Sequence, residues 1–250
     1  MKKITSLSIV ILILAFAFPE KKRIKIFMAG DSTMSIKETK AYPETGWGMP
    51  FVYFWDSTVT VINKAKNGRS TKSFINEGLW KSIMDEASEG DYVFIEFGHN
   101  DEVPTKANYT TESEFKTNLN RFIDEAKVKK MIPVLLTPVA RRKFDSTGTL
   151  QETHLVYSQL VREVAAVQHV LFIDMDRKSQ QLLQQLGAEN SKLLFLQLKP
   201  GEHPNYPDGK DDNTHFNELG ARLMAQIVLK EVASLDPSLA EHIIKSAIKK

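Results

Sequence analysis

Acyl transfer needs a nucleophile, a base to take its proton, a group that orients the base, and donors for the developing oxyanion. Side chains or backbone of those types occur far apart in this chain, at Ser32, Gly68, Asn100, Asp212 and His215. Ser32 follows Gly30-Asp31 at the end of an apolar run, where a tight turn could expose its hydroxyl. His215 can accept a proton near neutral pH. Asp212 precedes it by three residues, a spacing that lets carboxylate and imidazole meet on one turn if the last helix begins at Asn213 or Thr214. The carboxylate would then hold the imidazole in one tautomer. Gly68 can offer a backbone N–H at close range because it has no Cβ, and Asn100 can offer a side-chain N–H. Each has a plainer reading alone: Ser32 and Gly68 as turn residues, Asn100-Asp101 as a loop, Asp212 to His215 as a helix cap. The case for chemistry rests on their occurring together.

What must position them is an alternation of strands and helices. Arg23 to Ala29, Thr58 to Ile62, Tyr92 to Phe97, Met131 to Thr137 and Val170 to Ile173 read as strands, being apolar and rich in β-branched residues. Phe74 to Ala87, Glu112 to Val128, Glu152 to Val167, Lys178 to Leu186 and Glu218 to Ala233 carry apolar stripes at helical spacing. Strands separated by helices imply an α/β fold with a parallel sheet. In such sheets, ligands bind beyond the carboxyl ends of the strands. The polar segments that follow the first four strands (Gly30 to Thr33, Asn63 to Ser70, Gly98 to Asp101, Pro138 to Arg142) should therefore converge on one rim. Lys199 to Thr214, dense in proline and glycine, reads as a long irregular loop of the functional kind.

Composition narrows the field. The 250 residues are 42% hydrophobic and 26% charged, enough for one sizeable domain. Cysteine is absent, which excludes a thiol nucleophile, a thiolate metal site and a disulfide framework. Lys2 and Lys3 precede an apolar stretch, Leu7 to Phe18, with Ala15 and Ala17 at signal-peptidase spacing. Residues 1–17 thus read as a signal peptide and 18–250 as a single domain, released to the periplasm or outside the cell and free of the membrane. Loss of Lys2 and Lys3 would reduce the formal charge of +2 to zero, which gives no reason to expect nucleic acid as a partner.

Gly30-Asp31-Ser32, Gly68 within Asn63 to Gly68, Gly98-His99-Asn100-Asp101 and Asp212-x-x-His215 resemble, in order and spacing, the four sequence blocks of the SGNH (GDSL-like) hydrolases. More narrowly, the chain resembles the rhamnogalacturonan acetylesterases through GDSTM (Gly30 to Met34), GWG (Gly46 to Gly48), NGRSTKSF (Asn67 to Phe74), EFGHND (Glu96 to Asp101), TPVARRKF (Thr137 to Phe144) and DNTHF (Asp212 to Phe216). The resemblance implies a three-layer, flavodoxin-like fold with five parallel strands. It implies Ser32 as nucleophile, His215 as base and Asp212 as its orienter, with the N–H groups of Ser32 and Gly68 and the side chain of Asn100 as oxyanion hole. No metal or organic cofactor is expected, and the expected substrate is an acetylated polysaccharide or oligosaccharide, pectic or more broadly xylan. For its recognition, Trp47, with Tyr42, is expected to stack on a sugar face, and Arg141 or Arg142 to pair with a galacturonate carboxylate. His203 and Tyr206 are further candidates for the cleft wall. Against the sugar roles, Trp47 could be packed core and the arginines ordinary surface pairs. Two other classes compete. Asp31, His99, Asp101, Asp212 and His215 could be metal ligands of a phosphoesterase, although that class's D-x-H pair is missing from the first strand. A carbohydrate-binding module would need aromatic rings but no serine, histidine and aspartate in register.

Overall fold

The computed structural model describes residues 23–245. The signal-peptide expectation for residues 1–17 lies outside them. Five strands, β1 (Ile24–Gly30), β2 (Val59–Asn63), β3 (Tyr92–Glu96), β4 (Ile132–Leu136) and β5 (Leu171–Ile173), form one sheet in the order β2-β1-β3-β4-β5. Every neighbouring pair is parallel, in keeping with the alternation seen in the sequence.

The central strands are apolar on both faces because both are covered. Ile26 and Met28 of β1, with Tyr92 and Phe94 of β3, pack into one core. Its far wall is α1 (Gly48–Phe51), α6 (Met175–Asn190, kinked at Gly187), α7 (Glu218–Leu235) and α8 (Pro237–Ala240). Phe27, Ala29, Val93 and Ile95 face the other way, onto α2 (Thr71–Asn76), α3 (Leu79–Glu86), α4 (Glu112–Val128) and α5 (Leu155–Gln168). The period of two in the strands thus feeds two cores and gives three layers.

Two details depart from the sequence reading. The helix expected from Phe74 to Ala87 is two helices, because Gly78 adopts φ +73° and breaks the backbone while the apolar stripe continues across the break. The loop expected from Lys199 to Thr214 contains a strand, β7 (Lys210–Phe216), paired antiparallel with β6 (Phe195–Leu198). Among the described residues, no helix is long and apolar enough to cross a membrane.

The register fixes the rim. Gly30 lies opposite Glu96, and Glu96 opposite Leu136, so the turns after β1, β3 and β4 leave the sheet side by side. The strand order reverses between β1 and β3, the place where open α/β sheets form their binding crevice.

Candidate active site

Ser32 sits two residues beyond β1, in a turn braced from inside. Asp31 is fully buried, and its Oδ1 accepts from the Thr33 amide (3.0 Å) and the Thr33 hydroxyl (2.9 Å). The Thr33 hydroxyl also lies 3.2 Å from Oε1 of Glu96, the last residue of β3. Glu96 is buried, accepts from the Trp47 indole at 2.5 Å, and has its pKa pushed up to about 8 by burial and by the Asp31 charge. One hydroxyl proton cannot serve two carboxylates. A protonated Glu96 resolves this by donating to Thr33, which then donates to Asp31.

His215 reaches Ser32 from the far end of the chain. Its Nε2 is 2.9 Å from Ser32 Oγ, and its Nδ1 is 2.8 Å from Asp212 Oδ2. The other carboxylate oxygen of Asp212 accepts from the amides of Thr214 (2.8 Å) and His215 (2.9 Å). These bonds curl β7 back on itself, so the two side chains meet on an irregular strand and not on the first turn of α7, which begins at Glu218 behind the N-cap Asn217. Burial alone would raise the Asp212 pKa, but the imidazole and the two amides hold it well below the usual carboxylate range. An ionised Asp212 takes the Nδ1–H and leaves Nε2 free to accept the serine proton. Such a chain can generate a serine nucleophile near neutral pH.

Gly68 and Asn100 lie on adjoining loops that are stitched together. Asn100 Nδ2 donates to the Arg69 carbonyl (3.0 Å), and Asn108 Nδ2 donates to the Gly68 carbonyl (2.5 Å). Lys106 Nζ donates to Asn100 Oδ1 (2.7 Å), which orients the amide with its NH2 toward the Gly68 loop. Gly68 adopts φ +75° with open space where a Cβ would stand. Its need for glycine is therefore backbone conformation, not crowding. Asp101 is buried behind Asn100, where Oδ1 accepts from the Thr71 amide (2.9 Å) and from the hydroxyls of Thr71 (2.6 Å) and Thr110 (2.9 Å). Burial pushes its pKa up to about 7.

The residues expected to bind sugar are not brought together in one place. Trp47 is 0% exposed and packs edge-on against Phe51, so the expectation that it stacks on a sugar is wrong: it is core. Arg142 is turned inward as well. Its guanidinium donates to Asn213 Oδ1 (2.6 Å), Ser191 Oγ (3.0 Å) and the Ala188 carbonyl, and its amide donates to the Asn213 carbonyl (2.8 Å). These contacts brace β7 and leave the guanidinium committed, which overturns its expected pairing with substrate. Arg141 donates to Thr214 Oγ1 (2.9 Å) and the His99 carbonyl (3.2 Å) and pairs with Glu102 (3.3 Å), bridging the Asn100 loop to β7. His203 lies in a partly exposed cluster with Tyr42 and Tyr206 at ring separations of 5.4 and 6.3 Å. His99 is buried against His154, with Nδ1 3.4 Å from Asp31 Oδ2, and burial pushes its pKa down to about 4.

Among the described residues, no three His, Cys, Asp or Glu side chains are grouped to hold a metal ion. The sequence reading passed over Lys37. Its side chain is 2% exposed, and its ammonium contacts the Ser32 carbonyl (2.5 Å), Asn67 Oδ1 (2.7 Å) and Glu44 Oε1 (2.7 Å). A lysine in a polar loop carries no signal of burial in sequence.

Residues 29–223, which include Ser32, Gly68, Asn100, Asp212 and His215, match the GDSL-like lipase/acylhydrolase family. The chain belongs to this family. It is a serine ester hydrolase. Rhamnogalacturonan acetylesterase RhgT of Bacillus subtilis strain 168 is 41% identical over 226 residues, 90% of this chain and 96% of RhgT. YesY of the same organism, named a probable rhamnogalacturonan acetylesterase, is 32% identical over 88% of this chain and 97% of its own length. The crystal structure of the Bacillus subtilis protein YxiM superposes on this GDSL-like hydrolase with a TM-score of 0.74 at 25% identity. That match covers 87% of this chain and 58% of YxiM.

Proposed function

We propose that this protein removes O-acetyl groups from rhamnogalacturonan through an acetyl-Ser32 intermediate. The observation that carries the proposal is the unbroken chain from Ser32 Oγ to His215 Nε2 (2.9 Å) and from His215 Nδ1 to Asp212 Oδ2 (2.8 Å). Ser32 Oγ attacks the acetyl carbonyl as His215 Nε2 takes its proton, and Asp212 stabilises the imidazolium. The amides of Ser32 and Gly68 and the Asn100 side chain receive the negative charge that develops on the carbonyl oxygen. The carbon–oxygen bond to the sugar then breaks, and His215 returns the proton to the departing hydroxyl. Water repeats the sequence on acetyl-Ser32, with His215 as base, and releases acetate and the free serine.

The substrate rests on the two Bacillus relatives named for rhamnogalacturonan, which match nearly the whole described chain. Arg141, reaching across the rim beside His99 and Thr214, and the half-open cluster of Tyr42, His203 and Tyr206 are the groups proposed to meet the sugar. Export is part of the proposal, supported by Lys2, Lys3 and the apolar run that follows them.

The test is acetate release from acetylated rhamnogalacturonan and from acetylated xylan, with Ser32→Ala beside the wild type. Release from the pectic polymer, abolished in the variant, is the expected result. Release mainly from xylan would keep the mechanism and overturn the substrate. Equal release by wild type and variant would overturn the mechanism.

A further inference from the structure

We propose that Lys37 is a positioning residue for this reaction: its buried ammonium clamps the turn that carries Ser32 to the loop that carries Gly68, and through Glu44 braces the stretch that pairs with β7 beside His215. An ammonium has three N–H donors, and Lys37 places two of them within its own loop and one on the loop after β2. One goes to the Ser32 carbonyl in the turn after β1 (2.5 Å). The second goes to Asn67 Oδ1 in the loop after β2 (2.7 Å), one residue before Gly68. The third goes to Glu44 Oε1 (2.7 Å). Glu44 precedes Thr45, whose amide donates to the Phe216 carbonyl (2.8 Å), next to His215.

Other direct ties cross these gaps, among them Asn63 Nδ2 to the Met34 carbonyl (2.9 Å). Ser35 Oγ shares Asn67 Oδ1 at 2.5 Å, and the Lys66 amide donates to the Gly30 carbonyl at 3.0 Å. Both lie on the Gly68 side. Lys37 and Glu44 add a side-chain link toward β7 beside the backbone bond from the Trp47 amide to the Thr33 carbonyl (2.8 Å). A lysine is seldom buried unless it is fully paired, and here the pairing is spent on the carbonyl of the nucleophile itself. Attack geometry tolerates little slack, since a displacement of about 1 Å can lower a rate roughly a hundredfold. Loss of the clamp is therefore expected to act on turnover more than on substrate affinity.

This inference rests on Ser32 being the nucleophile, and the experiment separates the two claims. Lys37→Met and Lys37→Met/Glu44→Gln are labelled to completion with diethyl 4-nitrophenyl phosphate, which counts reactive serines. Hydrolysis of 4-nitrophenyl acetate is then expressed per labelled serine. The double variant avoids stranding the Glu44 charge, and replacing a buried ion pair by neutral groups is often tolerated. In both variants kcat per labelled serine should fall roughly ten- to a hundredfold, with KM changed by less than about threefold. A lysine needed only for folding would lower the number of labelled serines and leave kcat per serine at the wild-type value. A fall smaller than about fivefold in either folded variant, or a loss carried by KM alone, overturns the proposal. Wild-type enzyme that fails to label at Ser32 would overturn the mechanism and this inference with it.

Discussion

Asp212→Asn should inactivate the enzyme by fixing the wrong histidine tautomer, and the hydrogen bonds around Asp212 say why. Oδ1 accepts from the amides of Thr214 and His215 at 2.8 and 2.9 Å. An asparagine must keep its carbonyl oxygen at that position, because an NH2 there would face two donors. Its NH2 then occupies the Oδ2 position, 2.8 Å from His215 Nδ1. Nδ1 must accept, the ring proton moves to Nε2, and Nε2 points a hydrogen at Ser32 where a lone pair is needed. The fold should be undisturbed, since the substitution is isosteric and both amide bonds survive. For a serine hydrolase with the base in the wrong tautomer, kcat falls by about four powers of ten, or ~5 kcal/mol in barrier height. The assay is hydrolysis of 4-nitrophenyl acetate at saturation, with circular dichroism and thermal melting as checks on folding. A folded Asp212→Asn enzyme within about tenfold of the wild-type kcat would refute the reasoning.

Four further outcomes follow from the same contacts. Asn100→Ala removes a proposed oxyanion donor and should lower kcat by roughly two to three powers of ten; a near wild-type rate would remove Asn100 from the hole. Gly68→Ala places a Cβ in open space but at φ +75°, which costs about 1 kcal/mol in strain. Relief of that strain by rotating the peptide should lower kcat, and an unchanged kcat would count against the Gly68 amide as a donor. Trp47→Phe keeps the packing but leaves Glu96 Oε2 without its indole partner. The variant should lose about 1–3 kcal/mol of stability with KM on the acetylated polysaccharide unchanged; a raised KM would restore Trp47 to the cleft. Glu96, with its pKa pushed up to about 8, keeps its proton in the folded state while the unfolded chain gives it up. Folding is thus disfavoured progressively as pH rises from about 4.5, the ordinary glutamate value, toward 8. Glu96→Gln mimics the protonated acid and should gain thermal stability over the wild type between about pH 5 and 8. A constant difference in melting temperature across that range would show that Glu96 is ionised.

The sheet was legible because fully buried parallel strands are written as nearly continuous apolar runs, as in Tyr92 to Phe97. The rim followed from topology: whatever comes after such strands gathers at one edge. The contact of Asp212 with His215 was legible from spacing, yet the element carrying them was not. Lys210–Phe216 is polar and lacks the alternation of a half-buried strand, so its pairing with β6 left no mark in the sequence. The break between α2 and α3 was misread because Ile75, Leu79 and Ile83 keep helical spacing across Gly78, although the glycine itself was a usable signal. The roles assigned to Trp47 and Arg142 failed for one reason. Residue type suggests what a side chain could bind, while burial and prior partners decide whether it is free to do so. Lys37 is the converse case, a residue whose type predicts solvent exposure and whose acceptors include, besides Ser32 and Glu44 of its own loop, Asn67 from a distant one.

The central claim, that Ser32 is acylated, is tested most directly by trapping the intermediate. Wild-type enzyme mixed rapidly with excess 4-nitrophenyl acetate and quenched in acid should carry one acetyl group on the peptide containing Ser32, read by mass spectrometry. Ser32→Ala should carry none. An acetyl group found on another residue, or a wild-type enzyme that turns over substrate with Ser32 never labelled, would contradict the account.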